Sequence, residues 1–161
     1  MKLANKVQDW LNKLEWEDKV VLDEENQTSS LNFTYSIKDQ SFKAWVETDE
    51  ERDVFKVYFY APFNALSTKH TECAVLFNYI NAISDWGSIS LLDTKGTIRW
   101  RYVIDFEDTT PSVSAINNAF MVGANLLGTW FDEITEVALT KASAQEIIDR
   151  ITTDDELLTD N

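Results

Sequence analysis

The sequence predicts an α+β domain in which an antiparallel sheet packs against helices, in the order α-β-β-β-α-β-β-α. Three observations carry that reading. Apolar residues recur at helical spacing near the start, in 68–83 and in a long run after Pro111. Strict apolar/polar alternation fills 31–37, 42–48 and 54–60, with only short polar links between the runs. Lastly, "DTKG" (93–96) stands between two further alternating runs, with Asp first and Gly fourth, as in a type I turn closed by a left-handed glycine.

Taken in order, Leu3, Val7, Trp10, Leu11 and Leu14 form one face of a first helix over about 3–16. Leu31, Phe33, Tyr35 and Ile37 then share one face of a half-exposed strand, with Asn32, Thr34 and Ser36 on the other. Two more strands, 42–48 and 54–60, complete a meander that Pro62 is expected to end, since proline donates nothing to a sheet ladder. Cys73, Leu76, Phe77, Ile80 and Ile83 make the buried stripe of a second helix capped by Thr68.

Residues 87–92 and 97–106 form a tight hairpin. Alternation sends Ile98, Trp100, Tyr102, Ile104 and Phe106 to one face and Arg99, Arg101, Val103 and Asp105 to the other. Pro111 suits the first turn of a long helix whose buried face runs through Ile116, Phe120, Ala124, Leu127 and Ile134. Gly123 and Gly128 within it point to close packing or a bend. A short helix over about 143–151 precedes the acidic "TTDDELLTDN", expected to be a flexible tail over 152–161.

With 161 residues, 44% hydrophobic and 12% aromatic, the chain can bury one core and is not a disordered sequence. Its 14 Lys and Arg against 28 Asp and Glu give a charge of −14, which repels polyanions and anionic lipid, so neither nucleic acid nor membrane is an expected partner. No apolar run is long enough to span a bilayer and the first residues lack a signal-peptide core, so a cytoplasmic location is expected; the lone Cys73 fits a reducing compartment.

The chemistry-bearing residues form no catalytic pattern. His70 and Cys73 are three apart, but Cys73 lies on the apolar stripe, whereas a nucleophilic thiolate needs a polar cleft and an oriented base. One His and one Cys cannot complete a zinc site. The acidic loops lack the glycine and closing glutamate of a calcium loop. The four glycines do not cluster to cradle a phosphate. The expectation is therefore a non-enzymatic protein with no metal and no cofactor.

On the strand around Arg99 and Arg101, alternation puts its own aromatics on the opposite face, which argues against a stacking platform for single-stranded nucleic acid. The two arginines are expected to pair with acids on neighbouring strands or to clamp a carboxylate on a partner. Trp45, Trp86 and Trp130 are the tryptophans that could lie outside the core and mark a partner surface. Asn78 and Asn81 share a helix face and could read a polar small molecule in a pocket against the sheet, as in a sensor or an unrecognised enzyme, or bond to a loop or strand edge.

"LFNYINAIS" (76–84), "GSISLLDTKGTIRWRYVID" (87–105) and "GTWFDEI" (128–134), in this order of elements, resemble the YbjN-like family of bacterial sensory-transduction regulators. The positions that carry the resemblance are Asn78, Asn81, Asp93, Gly96, Arg99 and Arg101. It implies a fold like that of type III secretion chaperones, a single domain over 1–151, and a regulatory or chaperone-like protein that binds a segment of another polypeptide as a homodimer. The small residues at 123, 124 and 128 are a candidate subunit contact.

Overall fold

Alternating sequence in the first half of the chain folds into antiparallel strands laid side by side; the first three helical stretches pack on one face of them, and the last packs on the second and third. The computed structural model describes residues 1–159, with side chains through 153. Among the described residues the order is α1 (Lys2–Lys13), β1 (Val21–Asp23), β2 (Thr28–Ile37), β3 (Gln40–Asp49), β4 (Val54–Asn64), α2 (His70–Ile83), β5 (Ser88–Leu91), β6 (Thr97–Asp105), α3 (Val113–Leu139) and α4 (Ala144–Thr159). The strands form one sheet in the order β1-β2-β3-β4-β6-β5, with every neighbouring pair antiparallel.

The observed order departs from α-β-β-β-α-β-β-α by a fourth strand ahead of the three expected before α2 and by a second helix at the end, and several boundaries differ for physical reasons. Strand β1 was not expected in the acidic stretch 15–25. Val21, Leu22 and Asp23 are all exposed, so this edge strand carries no alternation, and pairing with Thr28–Ser30 alone defines it. Pro62 does not end β4: it lies where the pairing with β6 shifts register between Tyr60 and Asn64, an irregularity that tolerates a missing N–H. Thr68 does not cap α2, which follows a single 3-10 turn at Ser67–Lys69 and has no side-chain cap. Ile83 leaves the buried stripe and is 55% exposed.

Pro111 sits just before α3, whose cap is Ser112; its Oγ accepts the Ala115 N–H at 3.0 Å. Helix α4 continues past the expected end near 151 to Thr159. Residues 160 and 161 of the acidic segment lie outside the described residues.

Two hairpins illustrate how turn chemistry sets register. Lys38 and Asp39 both have positive φ, which makes a two-residue turn whose twist matches the strands it joins. At the β5–β6 turn, Gly96 adopts φ +80° and donates its N–H to Asp93 O at 3.2 Å. The Asp93 carboxylate accepts from Lys95 N, Thr97 N and Thr97 Oγ1, and these bonds hold its pKa below the usual carboxylate value.

The core lies between the sheet and the helices. Leu31, Phe42, Ala44, Val46, Phe55, Val57, Phe59 and Trp100 supply its sheet side, and Leu11, Phe77, Ile80, Phe120 and Leu127 its helical side. Trp100 is its tightest element: a methyl group at Gly87 or at Gly123 would fall within 2.3 or 2.4 Å of the indole ring. Gly123 therefore serves close packing of α3 on β6, whereas a methyl at Gly128 would make an ordinary 3.5 Å contact with Ile37.

Candidate functional site

The face of the sheet turned away from the helices is open, and strand register arranges its side chains in rows. Asn32, Trp45, Tyr58, Arg101 and Ser88 stand opposite one another across β2, β3, β4, β6 and β5. The next row is Thr34, Lys43, Tyr60, Arg99 and Ser90. Period-two alternation keeps the aromatics of β6 itself in the core, but β3 and β4 bring Trp45, Tyr58 and Tyr60 to the arginine face. The expectation that aromatic and basic groups occupy separate surfaces held within one strand and fails across the sheet.

The arginines do not find the carboxylates expected for them. Among the described residues neither Arg99 nor Arg101 makes an ion pair, and the nearby acid Glu47 is engaged by Lys56 at 3.7 Å and by the Tyr58 hydroxyl at 3.5 Å. Arg99 instead lies over the Tyr58 ring, its guanidinium carbon 5.4 Å from the centroid, with Nε buried and unbonded. Burial, then the Glu47 charge, raises the Tyr58 pKa above that of a free phenol, while both arginines oppose the shift. Trp45 is 38% exposed and walls a depression of about 430 Å³ that also meets Ser30, Glu47 and Lys56.

The remaining expected site residues lie elsewhere. Trp86 is 56% exposed, with its ring 6.1 Å from Tyr102, beside the helical layer. Trp130 is half-buried on α3 and stacks edge-on with Tyr79 of α2 at 6.3 Å. Trp45, Arg99 and Arg101 thus share one surface, and Trp86 and Trp130 do not join it. Tyr58 and Tyr60 were missed; the signal available was their polar-face position in the run "DVFKVYFYA".

Asn78 and Asn81 border a cleft of about 310 Å³ between α2 and β5. Both polar atoms of Asn81 are engaged within the fold: its Nδ2 donates to Ile89 O at 2.9 Å and its Oδ1 accepts the Ile89 N–H at 2.8 Å. The side-chain amide stands in for a neighbouring strand and closes the outer edge of β5 at that residue. Asn78 is exposed at the rim.

Burial lifts the Cys73 thiol to about 11, so at neutral pH it is not a thiolate nucleophile. The neighbouring charges are structural: Lys69 Nζ donates to Ala142 O, and Glu72 accepts the Ala144 N–H at the start of α4, both at 2.6 Å. His70 Nε2 is buried against Gly96 without a polar partner. Among the described residues no group of His, Cys, Asp or Glu is arranged to hold a metal, and no helix is long and apolar enough to cross a membrane.

No protein-family profile matches the chain, and no curated protein matches it in sequence. Solved structures do. One chain of the HopA1–SchA chaperone–effector complex superposes with a TM-score of 0.55 at 16% identity, covering 80% of this chain and 91% of that one. An uncharacterized protein from Methanothermobacter thermautotrophicus superposes with a TM-score of 0.52 at 14% identity, covering 83% and 97%. At these identities the likeness is one of fold: the α+β architecture is shared with a chain of a chaperone–effector assembly.

Proposed function

We propose that this protein is a non-enzymatic, chaperone-like module that holds a segment of another polypeptide against the open face of its sheet. The observation that carries the reading is the meeting of Trp45, Tyr58, Tyr60, Arg99 and Arg101 on one uncovered surface, with no carboxylate on either arginine among the described residues. Trp45 offers exposed aromatic area, and a guanidinium already held over a ring forms a directed pair with a partner carboxylate at small entropic cost. The likeness to a chain of a chaperone–effector complex agrees with a protein partner.

The sensory-transduction setting and the homodimer belong to the proposal through the YbjN-like resemblance, and the cytoplasmic location through the lone Cys73, which fits a reducing compartment. Gly123 and Ala124 are buried against the sheet side of α3, so they supply no subunit contact. A solution mass of one chain at tens of micromolar, by light scattering, removes the dimer from the proposal.

The test is site-specific photocrosslinking in cells, with the reactive amino acid at position 45 or, as a control, at the exposed α3 position 125. A discrete polypeptide adduct from position 45 and none from 125 is expected. Absence of an adduct at 45, or the same adducts from both positions, overturns the reading.

A further inference from the structure

Strand β5 covers only part of its neighbour. It pairs with β6 from Ile98 to Arg101 and stops at Ser88, whereas β6 runs on to Asp105, paired on its other side with β4. Leu92 N–H donates to Thr97 O, so Thr97, Arg99 and Arg101 turn their backbone groups toward β5. In an antiparallel ladder the alternate residues continue that pattern. The N–H and C=O of Val103 and Asp105 therefore point to the side where β5 has ended, and among the described residues no strand meets them.

The space beside this edge is a largely apolar groove of about 360 Å³ between β6 and the first half of α3, walled by Trp86, Tyr102, Ile104, Ala115, Ala119 and Val122, with Asn118 as its polar lining residue. It exists for local reasons. Gly87 at φ +69° turns the chain away from the sheet just before β5, which leaves Trp86 at the groove mouth. On α3, Ala115 and Ala119 are too small to fill the space over Tyr102 and Ile104. The contrast with β5 is direct: there Asn81 closes the free edge, and here no side chain among the described residues does.

We propose that the Val103–Asp105 edge accepts an extended segment of a partner polypeptide as an added strand in line with β5. Its alternate apolar side chains enter the Trp86 groove. Charge selects the flanks: Asp85 precedes Trp86, and Asp105, Glu107 and Asp108 follow Ile104, all exposed on a chain of net charge −14. The segment is therefore one with Lys or Arg around an apolar alternating centre. This rests on the reading that the protein binds another polypeptide, and is independent of whether the Trp45 face does so.

The probe is a short synthetic peptide of alternating valine and threonine flanked by lysine pairs, titrated into the full chain. Trp86→Ala and Val103→Pro are the variants, and the latter removes only an N–H that has no ladder partner. Saturable binding with slowed amide exchange at Val103 and Asp105 is expected, weakened about tenfold or more by either variant. Arg99→Ala with Arg101→Ala should not weaken it, whereas the same change is expected to weaken binding at the open face, which separates the two surfaces. Thermal melts of both variants establish that they fold, and Trp86→Ala, at an exposed side chain, keeps the test valid if Val103→Pro does not. The proposal is overturned by no binding, by binding that survives both variants, by equal binding of a glutamate-flanked peptide, or by a self-paired dimer that Val103→Pro abolishes.

Discussion

On β6, the side chains that face the helices and those that face away obey different constraints. Ile98 and Trp100 are buried to the last atom or nearly so, and Trp100 has glycine on two sides because nothing larger fits. One residue along, Arg99 and Arg101 lie on an open surface beside rings from β4, with room for a further molecule. The same stretch of chain thus fixes the fold through one face and leaves recognition to the other. The difference predicts that substitutions on the first face act on stability, and those on the second act on binding.

The largest stability effect should come from Gly123→Ala. Its new methyl would overlap the Trp100 ring, and the ring is walled in by Gly87, so overpacking should cost about 1–3 kcal/mol. Thermal denaturation followed by circular dichroism should show a melting temperature lower by several degrees, and an unchanged value would mean that the close approach is not real.

Next comes Asn81→Ala, at the boundary between the two faces. It strips both bonds from the buried Ile89 backbone, at a cost of about 1–3 kcal/mol, and reopens the β5 edge. Concentration-dependent association by light scattering should accompany the loss. A stable, strictly unassociated variant would show that the edge needs no closure.

The smallest effect in this series is a gain. Gly128→Ala meets only a 3.5 Å contact with Ile37, so helix propensity should dominate and stabilise by up to about 1 kcal/mol. Measured beside Gly123→Ala by the same melt, it separates the packing requirement from the helical cost of glycine. Two losses of similar size would remove that distinction.

What could be read from the sequence followed the range of each signal. Alternation along β6 assigned Trp100 to the core and Arg99 and Arg101 to the other face, and the "DTKG" turn fixed the hairpin, because both are set by neighbouring residues. Which strand lies beside β6 depends on a crossover through α2 that no local pattern encodes. The partnership of Arg99 with Tyr58, rather than with an acid, was therefore not visible. Strand β1 was hidden because both of its faces meet solvent, and Pro62 misled because a register shift in the sheet absorbs it. The Asn81 bonds and the Trp86 groove both depend on where β5 stops, which is again a tertiary fact.

The central claim, that the open face is the recognition surface, is tested most directly by the affinity of the polypeptide captured at position 45 for the Arg99→Ala, Arg101→Ala double variant. Neither arginine makes an ion pair among the described residues, so the fold should be retained, with a stability loss of about 0.5–2 kcal/mol from the Arg99–Tyr58 contact and little from Arg101. Affinity measured by calorimetry should fall about tenfold or more. An affinity equal to that of the unsubstituted protein, with the fold intact, would contradict the account.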